Sequence, residues 1–277
     1  MAANSSSLAD FLGRHARKLT VMAVALLALV GWGWLVLSVA SGRMAGGMGI
    51  GMGALAPLFE RLAGLMPGGG GGHGAFMPSL EPWGARDIAL VLAMWAAMVF
   101  AMMLPTAAPT FRAYALKGPH VAAAVMAGYT SIWLGIAVIG TLGQTGLTYL
   151  GVLTPHMAPA GTALSASILI AAGIYQFTPL KLSCLIRCRN PYVTDFDQIS
   201  VGMALQIGIE EGIACLGCCW AMMAVMFAAG MMNLVAMAFL GALMGAEKLV
   251  TGMKFTYFLG GTLIVLGMFL ASGLFLR

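Results

Sequence analysis

From Leu19 to Ala40 the chain carries no charged side chain, and the same holds for Ile88–Leu104, Val121–Leu142, Ala160–Leu180 and Phe255–Leu276. About 20 apolar residues in a helix cross the ~30 Å hydrocarbon core of a bilayer. A chain built from such runs is predicted to be an all-α, polytopic membrane protein. Composition agrees: 61% of residues are hydrophobic and 8% charged, where soluble domains carry about 25% charged residues. The whole of 1–277 reads as a single membrane domain, since its aqueous loops are too short to hold a second core.

The segment before Leu19 is polar and ends in Arg14, Arg17 and Lys18, so 19–40 is predicted to be an uncleaved first span with a cytoplasmic N-terminus. Residues 41–85 form a Met- and Gly-rich outer loop with Met44, Met48, Met52 and His73, and a short helix is expected around Pro57–Leu65. Six further spans are expected within 86–277, making about seven in all. One of them, Asp87–Leu104, should end at Pro105.

Residues 199–247 admit two readings. In one, Ile199–Gly217 and Cys219–Ala246 are consecutive spans, which places Glu210 and Glu211 deep in the membrane. In the other, 199–212 is an interfacial helix, Ile213–Ala229 a span, Gly230–Asn233 a turn and Leu234–Gly245 a short last span. Burying two adjacent carboxylates costs several kcal/mol unless they are paired, which favours the interfacial reading. Charge does not choose between the two: in both, ten of the fourteen basic residues (Arg14, Arg17, Lys18, Arg112, Lys117, Lys181, Arg187, Arg189, Lys248, Lys254) share the cytoplasmic side, as the positive-inside rule expects. Glu247-Lys248 reads as a solvated helix end. The net charge of +5 belongs to this orientation signal and implies no nucleic-acid partner.

All five cysteines fall in one window: Cys184 and Cys188, then Cys215, Cys218 and Cys219. On helices, the i, i+4 and the i, i+3, i+4 spacings each place the thiols on one face. Two such faces meeting would present up to five soft ligands, a set suited to Cu(I), with zinc and an iron–sulfur cluster as alternatives. Packed, inert thiols are the plain alternative, since free cysteine is often buried. The 23 methionines extend the argument. Met98, Met102 and Met103 on one span, and Met222 and Met226 following the cysteines, could line a thioether route, although such stripes also serve as packing. There is no His-Glu-x-x-His and no phosphate-binding glycine loop, which argues against a zinc hydrolase and against ATP-driven pumping by this chain alone.

Three segments together resemble a bacterial family of unknown function catalogued as predicted metal-binding integral membrane proteins. They are Met94-Trp95 through Ala101-Met102-Met103-Leu104-Pro105; Gly173 to Lys181 with Cys184-Leu185, Cys188-Arg189 and Pro191; and Cys215-Leu216-Gly217-Cys218-Cys219-Trp220 with Gly230, Met232-Asn233-Leu234 and Glu247-Lys248. The match covers roughly 85–254. It implies metal binding without a reaction. It also implies an amphipathic basic stretch before the cysteine cluster, where this chain instead has Glu210-Glu211.

These readings converge on a protein of the bacterial cytoplasmic (inner) membrane. It would bind Cu(I) through Cys184, Cys188, Cys215, Cys218 and Cys219 with Met98, Met102, Met103, Met222 and Met226, for copper transport or delivery. Its partners would be the lipid bilayer, the metal ion, and a metallochaperone or larger membrane complex. Two other functions remain open. One is a thiol–disulfide or metal-centred oxidoreductase using Cys215 and Cys218 as its redox pair; the other is a non-catalytic subunit of a membrane metalloenzyme.

Overall fold

The computed structural model describes residues 2–41, 52–64, 83–151, 161–191, 199–231 and 233–275. Met44, Met48, His73 and the side chain of Met52, all expected in the outer loop, lie outside the described residues.

Among the described residues the protein is helical, with no strand. Helix α1 spans Ala2–Ser41 and the short α2 spans Ala56–Gly64. Helix α3 (Ala85–Met98) continues through a π-helical turn, Val99–Met103, into α4 (Leu104–Tyr114). The later helices are α5 (Pro119–Tyr149), α6 (Thr162–Tyr175), α7 (Pro179–Arg189), α8 (Val201–Ala229), α9 (Leu234–Leu249) and α10 (Lys254–Phe275). Among the described residues, five helical stretches are long and apolar enough to cross a membrane, or six if the pair α6–α7, bent by 65°, counts as one. Helix α9, with 16 residues, is short for a span by itself. The outward faces fit an apolar surround: Met22, Leu26, Leu29, Ile139, Leu142 and Phe269 are all exposed.

The chain does not break at Pro105. Proline cannot donate a hydrogen bond to the preceding turn, and here that turn is widened. The Leu104 N–H reaches five residues back to the Val99 carbonyl, so the helix absorbs Pro105 through a π-bulge. Other boundaries follow local chemistry. Thr178 caps α7 by accepting from Lys181 N, with Pro179 in the first turn. Ser200 and Asn233 cap α8 and α9 by accepting from Met203 N and Ala236 N, the usual role of such residues at helix starts. Gly230, at φ 93°, stops α8 in a conformation that favours glycine.

Neither sequence reading of 199–247 describes α8. The break at Gly230–Asn233 is present, but residues on both sides of position 212 belong to one continuous helix. Its first half packs on α5 instead of lying apart at an interface. A Cβ on Gly208 would collide with the Val125 carbonyl, and one on Gly128 with the Leu205 carbonyl. Small residues at this crossing let the two backbones meet, a packing mode common between membrane helices. The carboxylates are accommodated by pairing: Arg187 of α7 reaches both Glu210 and Glu211. Cys215 consequently lies midway along α8, about 21 Å from either end at 1.5 Å per residue, and not at the mouth of a span.

Candidate metal centre

Three helices close around Cys215 and Cys218. On α8 the spacing of Cys215, Cys218 and Cys219 turns all three inward, and each is 1% exposed. Helix α7 brings Cys188 against them, with its Sγ 3.6 Å from Cys218 Sγ. The bend between α6 and α7 makes this possible, because it swings α7 out of line with α6 and across α8. Cys218 Sγ also lies 3.3 Å from Cys219 Sγ and donates to the Cys215 carbonyl at 3.2 Å. The Sγ atoms of Cys188, Cys215 and Cys218 all lie within 4.8 Å of one another. All five cysteines are free thiols.

Cys184 sits one turn before Cys188 and packs against α8 at Gly217, where a Cβ would collide with its Sγ. Gly217 is therefore the residue that lets α7 approach the thiols. Cys184 belongs to the same locality without joining the three-sulfur group.

Around the sulfurs stand polar groups that the sequence does not place at the site. Tyr129 of α5 lies 2.9 Å from Cys215 Sγ and donates to the Met103 carbonyl at 3.1 Å. Lys248 of α9 donates to Cys215 Sγ at 3.1 Å and to Thr106 Oγ1 at 2.8 Å. An ammonium in this position supplies positive charge next to a site whose ligands bind metal as anions.

Glu247 and Lys248 are not a solvated helix end. Glu247 forms an ion pair with Lys181 at 2.8 Å, and the two side chains are each 1% exposed. Lys181 Nζ also donates to the Cys218 carbonyl at 2.5 Å, and Arg189 donates twice to the Glu247 carbonyl, at 2.9 and 2.6 Å. Lone charges between apolar runs were the available signal, since ionisable residues within a membrane domain are paired or functional by default. Their pairing across α7 and α9 carries no local periodicity.

The methionines expected at the site, Met98, Met102, Met103, Met222 and Met226, are all buried in the core that contains Cys215, Cys218 and Cys219. Met102 also lines a groove of about 350 Å³ between α4 and α9, and Met103 contributes its backbone carbonyl to Tyr129.

The donor set fits a soft metal. Thiolates select Cu(I), zinc or iron–sulfur centres, whereas structural zinc takes four ligands and iron–sulfur clusters usually four cysteines. The compact group here holds three sulfurs from two helices, a number Cu(I) accepts. Fold and site together define a helical-bundle protein with a buried thiol centre suited to holding a metal ion. Residues 92–270 match the family model described as PpoB2, copper chaperone, and the chain belongs to that family. No curated protein and no solved structure matches it.

Proposed function

We propose that this protein is a multi-pass membrane protein that takes Cu(I) as cargo at Cys188, Cys215 and Cys218 and passes it on, in copper transport or delivery. The observation that carries this reading is the meeting of three thiols from α7 and α8 within 4.8 Å, in a chain whose family is one of copper chaperones. Cys219 and Cys184 stand beside the group as the next sulfurs for an ion that moves by ligand exchange. Met98, Met102, Met103, Met222 and Met226 extend the soft surface through the core. Thioethers bind Cu(I) without losing a proton, which suits a route better than a resting site.

The remaining parts of the reading rest on the sequence. Clustered basic residues support a cytoplasmic N-terminus and a bacterial inner membrane, with a metallochaperone or larger membrane complex exchanging the ion. The chain's own groups shape the centre: Lys248 balances thiolate charge, Tyr129 orients Cys215, and the Lys181–Glu247 pair fixes the backbone at Cys218.

Titration of the purified, reduced protein with Cu(I) against a chromophoric chelator tests this. Tight loading is expected in the native chain, with loss in a variant carrying Cys188→Ser, Cys215→Ser and Cys218→Ser. Full stoichiometry in that variant would sink the proposal.

A further inference from the structure

Cys215 and Cys218 are enclosed, so a cargo ion needs a way in. A small cavity of about 10 Å³, room for roughly one water molecule, lies against Cys215 and Cys188. It is lined by Thr106, Thr110, Tyr129, Cys188, Glu211 and Cys215, with Lys248 also at its wall. This lining is more polar than that of the groove between α4 and α9. At one wall stands Glu211, whose side chain is 3% exposed. Its Oε1 accepts no aligned hydrogen bond, although Arg187 Nη2 lies 3.2 Å away. Arg187 is 26% exposed and also reaches Glu210, itself 52% exposed, at 3.7 Å. Exposure therefore falls stepwise from Glu210 through Arg187 to Glu211 and then to Cys215.

We infer that this cavity is the entry port to the thiol centre, that the Arg187–Glu211 contact is its gate, and that Cys188 is the first thiol an entering ion meets. The inference rests on the copper reading above for the identity of the cargo, but the port is a property of the protein alone. Cys188 fits the first position because it is the part-exposed member of the three-sulfur group. Arg187 and Cys188 are adjacent on α7, so a side-chain swing of Arg187 releases Glu211 at the cavity wall without moving the helix. The long, flexible Arg187 side chain and its imperfectly aligned contact with Glu211 suit a contact that opens and closes. By contrast, the Lys181–Glu247 pair is enclosed, with Lys181 held on the Cys218 carbonyl and the Glu247 carbonyl held by Arg189, which suits a fixed strut.

The test uses the full-length protein without metal. Each cysteine is alkylated with a small neutral maleimide, and site-by-site rates are read by mass spectrometry. Arg187→Gln is expected to raise the rates at Cys188 and Cys215 several-fold. Arg187→Lys, which keeps the charge, should stay near the native rate. Arg189→Gln, which loosens α7 from α9 instead, should leave Cys215 slow. Unchanged rates in Arg187→Gln, or equal acceleration in Arg189→Gln, would overturn the port. Elution volume and helical circular dichroism identify any variant that has simply unfolded, and Glu211→Gln then provides a second opening of the same gate, with the same acceleration expected. If the native chain fails to bind Cu(I) while Arg187→Gln still accelerates labelling, the copper reading fails and the port stands. Normal copper binding with no acceleration fails the port alone.

Discussion

Replacing Cys218 with serine is expected to weaken Cu(I) binding more than about 100-fold, since changes merely outside a metal's ligand shell already cost ~10–100-fold. Cys218 is the hub of the centre. Its Sγ lies 3.6 Å from Cys188 Sγ and 3.3 Å from Cys219 Sγ, and its own carbonyl receives the Lys181 ammonium. Serine keeps the size and the hydrogen bond to the Cys215 carbonyl, so folding should survive. The hydroxyl is a hard donor and does not replace a thiolate for a soft ion. Cys184→Ser should do less, because Cys184 packs on Gly217 outside the three-sulfur group. Chelator competition at fixed pH measures both, and equal losses in the two variants would contradict this ranking.

A large effect of a different kind is expected from Glu247→Ala. Removing one member of a buried ion pair leaves the other charge uncompensated, which typically costs about 3–5 kcal/mol. Here the orphan would be Lys181, wholly buried and held on the Cys218 carbonyl. A strong fall in thermal stability is expected, together with weaker metal binding, because the strut at Cys218 is lost. The double replacement Lys181→Met with Glu247→Leu should recover much of the stability, since well-packed apolar pairs often match buried ion pairs. It should not recover the backbone position at Cys218 as fully. Thermal unfolding in one detergent across the three variants checks this. A Glu247→Ala protein as stable as the native chain would mean that the pair contributes no net stability.

The parts of this centre that were legible in the sequence are those set by helical spacing. The positions of Cys215, Cys218 and Cys219 announce one face, and Cys184 and Cys188 another, because residues three or four apart share a side of a helix. Helix α2 and the turn at Gly230–Asn233 were legible for similar local reasons. What was not legible depends on contacts between helices distant in sequence. The cost of burying Glu210 and Glu211 placed the start of the span at Ile213, but Arg187 pairs with both carboxylates, and Gly128 and Gly208 let α5 and α8 meet closely along one continuous helix. Pro105 looked like a stop, and the π-turn just before it removes the need for one. Tyr129 and Lys248 gave no local sign of facing Cys215, since one stands on α5 and the other on α9. Glu247 looked solvated because its partner, Lys181, lies 66 positions away.

The proposed cargo is Cu(I), held by sulfur from α7 and α8. X-ray absorption at the copper edge on the loaded, reduced protein tests it most directly. The edge should be that of Cu(I), with a first shell of sulfur alone, and the shell should change in Cys218→Ser and stay the same in Cys184→Ser. A shell containing nitrogen or oxygen in the native protein, or one indifferent to Cys218, would contradict the account.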